Sequence, residues 1–361
     1  MKKVNDSIHF PCGIKMKNRF ILAPMTNQQS NEDGSLSEEE LKWLAMRAKG
    51  QFGMVMTCAS HVQESGKGFP RQLGIFSDDQ NLGHQKLTKA LHKEGSLAVI
   101  QLYHGGMRSA AEYIKDDVVS ASKVEKFGAR GLTLEEVKTL KDDFVHAAVR
   151  AKQCGYDGIQ VHGAHGYLIA QFLSSEINKR NDEYGGSFEN RNRLLFEIII
   201  EIREKCGPDF LISVRLSPER FGMKLQEVKK VSQQLIDSGI IDLLDISLWD
   251  CSKTPIEEDG SGKTLLAHFE DLDFKNVIFT VAGKISSAEQ VMNLIHGKVD
   301  AVSIGRAAIL LHDFPVKVTE DSSFVSRNTP VPESYLAEQG LSMNFINYMR
   351  NWKGFVLEDQ S

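Results

Sequence analysis

Residues 133–167 read TLEEVKTLKDDFVHAAVRAKQCGYDGIQVHGAHGY, and this stretch decides the fold. Thr133 and Glu136 have the spacing of a capping box, in which the hydroxyl accepts from a free N–H of the first turn and the carboxylate reaches back. Leu134, Val137, Phe144, Ala148 and Ala151 fall on one helical stripe, and Gly155 ends the helix. Gly158 to His162 then reads as a short strand, followed by a glycine-rich turn carrying His162, His165 and Tyr167. Helix, glycine stop, strand and polar turn form one unit, and the unit recurs on both sides.

Upstream, residues 20–25 (FILAPM) predict a first strand and Ser37 with Glu40 a capping box for a helix running to about Gly50. Residues 52–59 predict strand two. Ser77 to Gln80 predicts the cap of a helix ending near Gly95, and residues 97–102 predict strand three. Residues 103–132 are polar and too long for a simple connection, which predicts a lid or binding loop. Downstream, Leu194, Leu195, Ile198, Ile199 and Ile202 mark helix four, with Ser187 as N-cap; strand five covers residues 211–216. Leu225, Val228, Val231 and Leu235 mark helix five, closed by Gly239; strand six covers residues 242–247. A second long loop at about 248–275 leads to strand seven (277–281), a short helix from about Ser286 and strand eight (299–304).

Eight short Val-, Ile- and Leu-rich strands alternating with helices predict a (β/α)8 TIM barrel. The competing open doubly wound sheet lacks its usual GxGxxG turn after the first strand. Residues 1–18 read as a hairpin capping the barrel base. The expected organisation is a single domain over 1–361, with the barrel at about 18–312 and a tail at about 313–361 that the pattern does not resolve.

Composition narrows the function classes. The 361 residues are 41% hydrophobic and 25% charged, with a net charge of −5 and basic residues spread evenly, so neither nucleic acid nor an anionic membrane surface is an expected partner. No apolar run is long enough to span a bilayer and the N-terminus has no apolar leader, so the cytoplasm is the expected location. Cys12, Cys58, Cys154, Cys206 and Cys251 are far apart with no CxxC, which argues against a disulfide framework or a cysteine metal cluster.

In such a barrel, reactive groups project from the C-terminal ends of the strands. Read in turn, those ends are Thr26, Ala59, Gln101, His162, Arg215, Gly283 and Gly305-Arg306. Glycines in the last two turns let backbone N–H groups approach a phosphate, and Arg306 adds a guanidinium; tight βα turns are the plainer explanation of the same glycines. His162 and His165 are open to three readings: metal ligands, packed core, or donors to a substrate oxygen. A metal needs a third ligand, for which His104 is the nearest candidate, and none is expected. Tyr167 offers a hydroxyl proton.

The run His162 to Arg191, HGAHGYLIAQFLSSEINKRNDEYGGSFENR, resembles the signature of the Old Yellow Enzyme family of flavin oxidoreductases. Lys17 to Thr26 is similar to that family's first strand, Ile100 to Leu102 with His104-Gly105-Gly106 to its third, and Ile304-Gly305-Arg306 to its last. The resemblance covers about residues 8–312. It implies a (β/α)8 barrel with FMN across its mouth, NADH or NADPH as reductant, and an activated alkene (enone, maleimide or quinone) as the small-molecule substrate. It implies that His162 and His165 hold the activating oxygen, that hydride from flavin N5 reaches the β carbon, and that Tyr167 protonates the α carbon. Thr26 would sit at the flavin's C4 oxygen and N5 edge, Gln101 at its pyrimidine edge, Arg215 at the N1–C2 region and Ala59 beside the same ring. Gly283, Gly305 and Arg306 would hold the phosphate.

Residues 182–187, with Asn190, Arg191 and Arg193, read as structural bracing, and Tyr103 and Trp249 as aromatics near substrate or flavin. Asn27-Gln28-Gln29 departs from the tyrosine that many bacterial members carry there. The iron–sulfur cysteines of the larger relatives have no counterpart, so electrons are expected straight from the nicotinamide. A dienoyl-CoA-type reductase is the alternative within the family, and a non-catalytic flavin sensor the alternative outside catalysis. A homo-oligomer, usual in the family, would allow Arg350, beside Trp352 in the tail, to reach a neighbour's site.

Overall fold

The computed structural model describes residues 2–257 and 260–358. Eight parallel strands close into a barrel in chain order: β1 Phe20–Leu22, β2 Met54–His61, β3 Leu97–Tyr103, β4 Gly158–Gly163, β5 Leu211–Leu216, β6 Leu243–Ser247, β7 Ile278–Ala282 and β8 Ala301–Ile304. The helices that follow them are α1 Glu38–Lys49, α2 Asn81–Lys93, α3 Leu134–Gln153, α4 Phe188–Cys206, α5 Leu225–Asp237, α6 Leu265–Glu270, α7 Ala288–His296 and α8 Phe314–Glu320. This is the (β/α)8 barrel that the sequence predicts.

Register explains the strand compositions. Gln101 pairs with Gln160, His162 with Arg215, and Arg215 with Asp245. Side chains alternate across a strand, so residues two apart share a face. On β5, Ile212, Val214 and Leu216 join the main apolar core, which includes side chains of the surrounding helices. Leu211, Ser213 and Arg215 lie on the other face, inside the barrel. The interior is therefore layered: apolar at the base, polar in the middle, charged at the mouth. The base layer, including Ile21, Met54, Val99, Leu211, Leu243 and Ala301, packs on Ile8, Phe10 and Met16. These come from the hairpin of strands Ile8–His9 and Lys15–Met16, which caps the base as expected.

Several local expectations need correcting. Ser37 caps α1, but Glu40 does not reach back to it; the Glu40 carboxylate is buried and bonded to Asn27 and Ser30. Holding the chain after β1 outweighs closing the capping box. Ser77 and Gln80 do form a box, but it opens a single 3₁₀ turn, Asp78–Gln80, that runs into α2. The box at Thr133 and Glu136 forms as read. The stretch at 248–275 is not loop throughout, because Thr264 caps α6 within it. The tail also folds, into α8, α9 Glu333–Glu338 and α10 Met343–Arg350; Phe314 of α8 meets Phe20 of β1 edge-on at 6.4 Å. Arg350 pairs with Glu333, and Trp352 lines the mouth cavity. The part of the second loop at 258–259 lies outside the described residues.

No helix among the described residues is long and apolar enough to cross a membrane.

Candidate active site at the barrel mouth

A cavity of about 700 Å³ opens at the C-terminal ends of the strands. All ten residues singled out from sequence line it: Thr26, Ala59, Gln101, His162, His165, Tyr167, Arg215, Gly283, Gly305 and Arg306.

The turn after β4 sets the imidazoles and the phenol. His165 has φ +58° and Gly166 φ +71°. The left-handed conformation is unfavourable at His165 by about 1 kcal/mol and persists only where neighbours enforce it. Here the His165 N–H donates to Ser217 Oγ at 2.9 Å, and Arg108 of the lid donates to the His165 carbonyl. Tyr167 then leads into the one-and-a-half-turn helix Leu168–Leu173. The buried amide of Gln171 fastens that helix to the lid, accepting from Met107 N–H at 3.1 Å and donating to Gly166 O at 2.8 Å.

The imidazoles meet edge to face at 5.1 Å between centroids, and His162 lies 5.1 Å from the Tyr167 ring. His162 Nδ1 accepts from Ala164 N–H at 3.3 Å, which leaves its proton on Nε2. Burial, then the neighbouring His165, Arg215 and Arg108, hold the His162 ring neutral, well below the ordinary imidazole range. Burial and the same two arginines pull His165 down to about 3, and its Nε2 lies 2.8 Å from Ser247 Oγ. Both rings are therefore neutral near pH 7 and able to donate without carrying charge. Tyr167 packs edge-on to Tyr103 at 4.5 Å, and the Arg108 guanidinium covers its ring at 4.7 Å.

Below the imidazoles lies a polar layer. Gln101 Nε2 donates to Gln160 Oε1 at 2.7 Å, and Gln160 Nε2 donates to Ser213 Oγ at 3.0 Å and Asp245 Oδ2 at 3.1 Å. Arg215 Nη1 lies 3.6 Å from Asp245 Oδ2, and Nη2 donates to Ser247 Oγ at 3.3 Å. Asp245 is fully buried; burial pushes its carboxyl up while Arg215 and Gln160 oppose the rise. Gln160, Ser213 and Asp245 escaped the sequence reading. Their signal is present: each is a polar residue at an inward, alternating position of an otherwise apolar strand. Ser247, at the end of β6, was missed in the same way.

The tail contributes a second set that no strand-end rule finds. Val325 to Thr329, Tyr348, Met349, Trp352 and Phe355 all line the cavity, and the Tyr348 hydroxyl contacts Thr26 and Trp352. Trp249 also lines the cavity, with φ +66° and more than half its surface exposed, whereas Tyr103 is buried behind Tyr167. His104 is turned inward, accepting from Gly106 N–H at 3.0 Å. Asn190, Arg191 and Arg193 brace the chain before α4 through the carbonyls of Gly185, Leu173, Gly186 and Glu183. Among the described residues, no group of three or more His, Cys, Asp or Glu side chains is placed to hold a metal ion.

Comparison with known proteins identifies the family. A profile of the NADH:flavin oxidoreductase / NADH oxidase family matches residues 9–323. A Bacillus subtilis protein named "Probable NADH-dependent flavin oxidoreductase YqiG" is 35% identical over 330 residues, 88% of each chain. An NADH oxidase of Thermoanaerobacter brockii is 33% identical over 321 residues, 85% of this chain and 49% of that protein. Among solved structures, the Old Yellow Enzyme homologue of Zymomonas mobilis superposes with a TM-score of 0.79 at 28% identity, covering 93% of this chain and 99% of that one. With a profile spanning most of its length and a barrel that overlays such a homologue nearly end to end, this chain belongs to the NADH:flavin oxidoreductase / NADH oxidase family, and it is an FMN-binding, NADH-dependent oxidoreductase of Old Yellow Enzyme type.

Proposed function

We propose that the protein reduces activated carbon–carbon double bonds, taking electrons from NADH through FMN and protonating the product with Tyr167. The observation that carries this reading is the shared wall of His162, His165 and Tyr167: two neutral imidazoles and one phenol on a single turn of the cavity.

The lining residues fit the cofactor. Arg215 Nε is buried without a hydrogen-bond partner among the described residues, a donor suited to an electron-rich ring edge. Gln101, anchored by Gln160, would serve the pyrimidine side, with Ala59 beside it and Thr26 at the C4 oxygen and N5 edge. At Gly305 a Cβ would find only Met25 Sδ at 3.7 Å, so its Cα face is open to a phosphate, with Arg306 next to it. Gly283 is glycine for a different reason, since a Cβ there would sit 2.8 Å from Cys251 N. Its contribution to a phosphate is through backbone alone.

When bound, FMN would supply the two-electron hydride chemistry that links NADH to the alkene. His162, through Nε2–H, and His165 donate to the carbonyl oxygen and stabilise the negative charge that develops there. Being neutral and already fixed by Ala164 N–H and Ser247, they need little reorganisation. Tyr167 gives its hydroxyl proton to the α carbon and recovers one from solvent.

The test is anaerobic. NADH is expected to bleach the yellow holoprotein, and 2-cyclohexenone or N-ethylmaleimide to restore the colour with one saturated product per flavin. A reduced flavin that reacts with oxygen but with no unsaturated carbonyl would refute the reading.

A further inference from the structure

Past α8 the chain returns to the barrel mouth and is pinned there. Ala288 N–H donates to Phe324 O at 2.9 Å, Ser326 N–H donates to Ser286 O at 2.7 Å, and Ser287 and Val325 form an antiparallel bridge. Residues 325–328 thus form a strap held along the β7–α7 connection, lining the same cavity as Gly283, Gly305 and Arg306.

Two side chains of the strap, Ser326 and Arg327, have no hydrogen-bond or ion-pair partner among the described residues. Ser326 is 6% exposed, and its Oγ is buried without a hydrogen-bond partner among the described residues. Buried hydroxyls are ordinarily paired, so an orphan on a cavity wall points to a ligand. Arg327 lies with its guanidinium 4.6 Å from the Tyr335 ring and has no carboxylate partner among the described residues. Lys284, on the neighbouring connection, is neutralised by Asp250 at 2.8 Å. Among the described residues, the cations left to balance a doubly charged group at this end are therefore Arg306 from the barrel and Arg327 from the strap.

We propose that Ser326 and Arg327 close the phosphate end of the FMN site, Ser326 Oγ donating to a phosphate oxygen and Arg327 supplying the second positive charge. The inference rests on the placement of the phosphate at the ends of β7 and β8. The strap is formed by backbone bonds that need no ligand, so the hydroxyl is in position before the cofactor arrives. Hydrogen bonds to a charged group are stronger than neutral ones, so each residue should matter for FMN and not for its dephosphorylated form.

The experiment compares FMN with riboflavin on apoprotein, by quenching of flavin fluorescence, for the native chain, Ser326→Ala and Arg327→Ala. Neither substitution removes a backbone contact of the strap. Each variant is expected to bind FMN about tenfold more weakly, with riboflavin affinity unchanged. Unchanged FMN affinity in both variants would overturn the proposal. So would a parallel loss for FMN and riboflavin, which would mean general damage to the cavity. A native chain that binds the two flavins equally would instead overturn the placement of the phosphate itself.

Discussion

Tyr167→Phe separates the proton donor from everything else the Tyr167 ring does. The ring touches Tyr103 at 4.5 Å, His162 at 5.1 Å between centroids, and the Arg108 guanidinium at 4.7 Å. All three contacts are made by the ring itself and survive in phenylalanine, so the stability change should stay within about 1 kcal/mol. A positioned general acid contributes about 10²- to 10⁴-fold, which is about 3 to 5 kcal/mol of barrel-mouth catalysis lost with one oxygen. The loss should fall on one step only. Reduction of the flavin by NADH needs no proton at carbon and should stay within about twofold of the native rate. Reduction of 2-cyclohexenone ends in a new C–H bond at the α carbon and should slow by the full factor. A quinone accepts both electrons onto oxygens that exchange protons with water, so its turnover should be retained. The assay is anaerobic stopped flow, following flavin absorbance in each half-reaction separately. If enone and quinone slow equally, or if flavin reduction by NADH slows as much as either, Tyr167 is not the proton donor.

Two further outcomes follow from the structure. His61, His84 and His104 are buried and His165 is half-buried; all four are neutral, with desolvation the first cause in each, pulled to about 4, 4, 3 and 3. Their unfolded value is about 6.5, so below that pH the unfolded chain binds protons that the folded chain does not, and stability falls as pH drops from 6.5 towards 4. Each should contribute a loss on the order of 2 kcal/mol by pH 5, measurable as a falling Tm of the apoprotein between pH 7 and pH 5; a flat profile would contradict the buried neutral rings. Separately, Gly158→Ala at the start of β4 would drive a methyl into the Leu211 carbonyl oxygen across the β4–β5 ladder, with Leu211 Cβ beside it. It should destabilise by about 3 kcal/mol or more in urea denaturation, and a native-like midpoint would show that the barrel yields there.

How much of this was legible in the sequence depended on how local the cause is. Thr133, Glu136 and Gly155 decide a helix within a few bonds of themselves, and the eightfold recurrence of such units calls for a helix-covered parallel sheet, with the missing GxGxxG turn favouring the closed barrel over the open sheet. The strand ends follow from the same periodicity, which is why the eight residues read at them line one cavity, together with His165 and Tyr167 from the turn after β4. Glu40 misled because its spacing fits a cap, while a buried site for its carboxylate exists only once Asn27 and Ser30 are folded beside it.

What the sequence by itself determined is the barrel, the order of its strands and the identity of the reactive turn. Only the tertiary structure decided which distant segments finish the mouth. Ser326 and Tyr348 come from a tail whose pattern carries no mark of the cavity, and Asp245 acquires its place from the register of β5 on β6. The physical reason is that periodicity reports which face a residue presents, whereas the partner opposite that face is fixed by packing between segments far apart in the chain.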